Sequence, residues 1–172
     1  MYTGHFGIAL AAKGIDDRLP LWACIAAAFA PDLVISGSQI VAGIPQKSIE
    51  PLVSSLPGGL MLALLVGLMY KWGAKSTWGS LILAGISFLH VVADFITGRA
   101  HLWPGGPEVG LHLYRFEYAD FALESSLVIA GWLLYHRTLP KHKQRTWPAW
   151  LILAFLIGLQ LFFEIRPLFL GG

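Results

Sequence analysis

The sequence predicts an all-α integral membrane protein, with about five transmembrane helices and a short N-terminal half-helix in one bundle over residues 1–172. Three observations predict it. Charged residues make up 13% of the chain, against about 25% in an average soluble domain. Apolar residues make up 56%, and the mean hydropathy is +0.64. Several apolar runs approach or reach the length of about 20 residues that a bilayer crossing needs.

Each element has a local reason. Residues 2–12 (YTGHFGIALAA) read as helix but are short for a crossing, so a partial or re-entrant helix is expected. This N-terminus has no basic n-region and His5 interrupts its apolar run, so it does not read as a secretory signal. Lys13 to Arg18 form a charged turn. The first full span is expected from Pro20 to about Ile40, with Asp32 in its second half. Residues 41–56 read as a polar loop, and the second span as Leu56 to Tyr70. Thr77 to Thr97 is the third span and carries His90 and Asp94. A loop rich in Gly and Pro follows over 98–116. The fourth span is Glu117 to Tyr135 and the fifth Trp147 to about Phe163.

Charge orients these spans. The connectors at 13–18, 71–75 and 137–145 hold Lys13 and Arg18, Lys71 and Lys75, and Arg137, Lys141, Lys143 and Arg145. The loops at 41–56 and 98–116 hold only Lys47, Arg99 and Arg115. The positive-inside rule therefore puts the basic connectors in the cytoplasm. Most tryptophans fall near that same face, and only Trp103 falls opposite. The net charge of +2 and the scattered basic residues argue against nucleic-acid binding. Cys24 is the only cysteine, so no intrachain disulfide can form.

The functional signal is polar residues at depth. His90 and Asp94 are four apart and so share one face of a helix. At about 1.5 Å per residue, Asp32 and His90 both lie roughly 18 Å from the cytoplasmic end of their spans, and Asp94 roughly 24 Å. Glu124 falls at roughly 20 Å from the same side. His5 reaches that level if the half-helix runs inward from outside. Glu117, Asp120 and Glu124 are spaced i, i+3, i+7 and line one face of the fourth span. An isolated charge at the centre of a span costs about 2.5–3.5 kcal/mol, so Asp32, Asp94 and Glu124 left apart would cost about 8–10 kcal/mol. Convergence on a shared polar site removes most of that cost. Imidazole with carboxylate suits zinc or manganese. His5, Asp32, His90 and Asp94 are the candidate metal ligands. Glu124 and Asp94 are the candidate acid/base or positioning groups. Each residue also has a plainer role, as interhelical hydrogen-bonding glue. His101 and His112 read as solvated loop residues, Ser54 and Ser55 as a cap on the second span, and Ser125 and Ser126 as helix packing.

Three stretches resemble the membrane-bound metal-dependent hydrolase family, which includes LexA-binding inner-membrane proteins. They are TGHFGIALAAK around His5, AFAPDL around Asp32, and LHVVADFITGRAHLWPGGPEVGL around His90 and Asp94. The resemblance implies a metal site built from those four residues, with Glu124 as a further counterpart. Two places depart from the family pattern. VSSLPGGLML has no histidine where a Ser-His-Ser-like element is usual, and Gly98 stands where a further histidine often follows the aspartate.

The expected function is hydrolysis of an amphiphilic substrate, a lipid or lipid-linked phosphate ester, at a divalent metal in the non-cytoplasmic half of the bilayer. One alternative is a non-catalytic membrane subunit that keeps the fold, has lost the metal and packs against a larger membrane complex. A small transporter or channel ranks third, because no inverted repeat is visible.

Overall fold

The computed structural model describes residues 3–144 and 146–170. Arg145 of the basic connector lies outside the described residues, as do the side chains of Glu117, Glu164 and Arg166. The chain is almost entirely helical: α1 Gly4–Ile15, α2 Leu21–Ala28, α3 Ala30–Ala42, α4 Gln46–Val53, α5 Leu56–Ala74, α6 Thr77–Thr97, α7 Glu117–Thr138, α8 Lys141–Gln144 and α9 Trp147–Leu170.

Among the described residues two helices, α5 and α6, are long and apolar enough to cross a membrane, or three if α2 and α3 together count as one bent span. Five spans are therefore not what the described residues support. The stretch from Pro20 to Ile40 is no single rod: α2 and α3 meet at a bend of 73°. Pro31 explains the break, since it has no N–H to give the preceding turn and its ring collides with that turn's carbonyls. The fourth stretch, α7, has 22 residues but is diluted by Asp120, Glu124 and the Ser125–Ser126 pair. In α9 the apolar stretch among the described residues is Trp150–Phe163, shorter than a crossing. The 41–56 loop also holds an unexpected helix, α4, with Pro51 inside it.

Local chemistry fixes the helix ends. Ser55 Oγ accepts the N–H of Gly58 at 3.2 Å and Ser76 Oγ that of Gly79 at 3.1 Å, so both long helices start on a serine cap. Gly43, at φ 65°, ends α3 in the left-handed conformation that glycine adopts without strain. In the α1–α2 turn, Arg18 Nε and Nη2 grip Asp16 at 2.9 and 3.0 Å and hold its carboxyl below the usual carboxylate range.

The short helix α1 is the spine. Ala9 belongs to an apolar cluster with Cys24 of α2 and Leu83 of α6. Its neighbour Leu10 belongs to another, with Val128 and Trp132 of α7 and Leu156 of α9. Successive residues of α1 thus face opposite halves of the core. The contact with α7 is closest at Gly7 and Gly131, where a Cβ on Gly131 would overlap the Gly7 carbonyl. In contrast, α5 leaves Leu60, Met61, Leu64, Leu65, Leu68 and Met69 exposed, as a helix facing lipid would.

Candidate metal centre

Four helices bring polar atoms to one point. His90, in the second half of α6, is 2% exposed. Its Nδ1–H donates to the Ala28 carbonyl at 2.9 Å. Ala28 is the last residue of α2, where the Pro31 break ends the regular ladder, so its carbonyl is available. That bond puts a proton on Nδ1 and turns Nε2 inward.

Around that atom stand three others. His5 Nε2 of α1 is 3.4 Å away, Asp94 Oδ2 of α6 is 3.2 Å away and Asp32 Oδ1 of α3 is 3.6 Å away. Donor atoms of His5, His90 and Asp94 all lie within 4.8 Å of one another. The two imidazoles meet edge to face, with ring centroids 4.0 Å apart and an interplanar angle of 70°. His5 is buried against Phe29, the residue at the α2–α3 break. Asp32 sits in the first turn of α3, where the helix dipole favours a carboxylate.

The donor set fits a metal ion. Four ligands at about 2.0–2.1 Å in a tetrahedron are separated by about 3.3–3.4 Å. Two separations from His90 Nε2, 3.2 Å to Asp94 and 3.4 Å to His5, lie near that edge length, whereas Asp32, 3.6 Å from the same atom, falls outside the group of donors that lie within 4.8 Å of one another. The Ala28 carbonyl on the far ring nitrogen is the usual outer support of a metal-bound imidazole. Access is graded. The two histidines are buried, the Asp94 side chain is 24% exposed and that of Asp32 is 52% exposed, so the site opens past Asp32.

Glu124, also buried, has partners on α1. Its Oε2 accepts the backbone N–H of Thr3 at 2.7 Å and of Gly4 at 3.0 Å. Gln160 Oε1 of α9 accepts the Thr3 hydroxyl at 2.7 Å. Glu124 therefore holds the start of the helix that carries His5. Gln160 was the missed signal: it is a lone amide inside the apolar run LILAFLIGLQLFF.

Gly98 and the serines before α5 have structural roles. Gly98 ends α6 and its N–H donates to the Asp94 carbonyl at 2.8 Å. Ser55 caps α5 and pairs through its backbone with His101. His101 lies in a two-stranded hairpin with Glu108, and its Nε2 is 3.6 Å from the Glu108 carboxylate. Arg99 binds that same carboxylate at 2.9 Å and holds it below its ordinary range. These loop residues are not among the grouped metal donors.

No family model matches the chain, and neither a curated protein nor a solved structure was found to match it.

Proposed function

We propose that this chain is a multi-pass bacterial inner-membrane protein that holds one divalent metal, zinc or manganese, and hydrolyses an ester in an amphiphilic substrate. The observation that carries this reading is His90. Its Nε2 lies 3.2 to 3.6 Å from donors on His5, Asp94 and Asp32, while its other nitrogen is locked to a backbone carbonyl.

On this reading His5, His90 and Asp94 hold the metal. A metal so held would polarise a phosphoryl or carbonyl oxygen and acidify a water. Asp32, the exposed member, either completes the coordination or takes the proton of an attacking water. The break at Pro31 gives that carboxylate its position at the mouth of the site. The choice of a lipid or lipid-phosphate substrate follows from the setting, a polar site among helices that leave apolar side chains outward. The basic connectors lie in the cytoplasm on this proposal, which turns the 98–116 hairpin to the opposite side.

A second reading, a metal-free subunit of a membrane complex, draws on the 3.4 Å imidazole contact, a distance that a hydrogen bond also satisfies. Metal analysis of purified protein separates the two. The hydrolase reading expects about one zinc or manganese per chain, lost in His90→Ala and Asp94→Ala, with affinity falling as pH drops and the imidazoles protonate. Well-folded wild-type protein that takes up neither metal would leave the subunit reading. Release of phosphate or fatty acid from phospholipid micelles, dependent on His90, tests the substrate class.

A further inference from the structure

The first turn of α1 begins inside the protein. Thr3 is buried, and α1 has no side-chain cap of its own. A helix start leaves N–H groups without intrahelical partners, and lipid supplies none. Here the acceptor comes from another helix: Glu124 Oε2 takes the N–H groups of Thr3 and Gly4, at 2.7 and 3.0 Å. A negative charge at that place also opposes the positive end of the helix dipole. His5 is the next residue in the chain, so whatever fixes Gly4 fixes the backbone from which that imidazole projects. Gly7 and Gly131 set how closely α1 lies against α7. The Glu124 bonds set where along α7 it stops.

We infer that Glu124 is a positioning residue for His5, docking the N-terminus of α1 so that the His5 imidazole meets His90. The inference rests on the metal reading above for its consequence, though not for the docking itself. Glu124 touches neither metal nor substrate in this role. It acts through two backbone amides, and Gln160 assists by holding the Thr3 hydroxyl.

The test uses the full chain in nanodiscs, with cobalt(II) as probe and amide hydrogen exchange as a second readout. Glu124→Met keeps the size and loses the acceptor, so cobalt affinity should fall about 10–100-fold, while Glu124→Gln should restore it to within about threefold. In a His5→Ala background, Glu124→Met should change affinity by less than about twofold, because the group it positions is gone. The α1 amides should exchange faster in Glu124→Met while those of α6 do not. Equal affinity loss with and without His5, or α1 protection unchanged in Glu124→Met, would overturn the inference. If wild-type protein binds no cobalt, the metal reading fails and α1 exchange alone decides whether Glu124 docks the helix.

Discussion

His90 shows how much one hydrogen bond decides. An imidazole in an apolar helix could present either nitrogen to the core, and the Ala28 carbonyl selects which. The i, i+4 spacing of His90 and Asp94 was legible in the sequence, because helix periodicity alone puts them on one face. The Ala28 carbonyl was not, because a backbone acceptor carries no residue signature. Glycines divide in the same way. A Cβ at Gly131 would overlap the Gly7 carbonyl, whereas one at Gly85 meets nothing within 4 Å. Gly131→Ala should destabilise the protein by about 1–3 kcal/mol through overpacking. Gly85→Ala should stabilise it by about 0.5–1 kcal/mol through helix propensity. Thermal unfolding of the two variants in one detergent checks the contrast, and equal midpoints would refute the close α1–α7 contact.

At the scale of elements, the break between α2 and α3 is what builds the site. A straight helix from Pro20 to Ile40 would bond the Ala28 carbonyl within its own ladder and leave His90 unoriented. The 73° bend frees that carbonyl and swings Asp32 to within 3.6 Å of His90. Pro31→Ala returns an N–H and removes the ring, so the two helices should straighten. Spin labels at Trp22 and Gln39, which lie on either side of the bend, should then move apart. Cobalt affinity should fall about tenfold or more as Asp32 and the Ala28 carbonyl withdraw. An unchanged label distance would mean that packing, not the proline, makes the bend. The motif APDL was visible in the sequence, but its reading as the middle of one span followed from hydropathy, which does not register a lost N–H.

For the whole molecule, height along a span is readable from residue count, and direction only from the structure. Residue count along a span puts Asp32, His90 and Glu124 at one level. The structure brings Asp32 to His90, and gives Glu124 to the start of α1 instead. Depth along an axis carries no information about which way a side chain turns around it. The orientation proposed above makes a direct prediction about the two ends of α6. A membrane-impermeant maleimide applied to intact cells should label Gly105→Cys in the hairpin loop and leave Lys75→Cys unlabelled until the cells are opened. Cys24 is buried and should add little background. Labelling of both from outside would rule out α6 as a crossing helix.

Composition and periodicity by themselves determined a helical, apolar chain whose rare ionisable groups have to find partners, because burying them singly costs about as much as the whole stability of a typical domain. They also determined the His90–Asp94 pair and the short first helix. Only the tertiary structure decided that this short helix is the spine of the core, that the Pro20–Ile40 stretch is broken, and that Glu124 supports His5 through backbone amides. The physical reason is common to all three. Each depends on packing between helices, which decides both which apolar faces meet and which distant residue satisfies the backbone groups left open at a helix end.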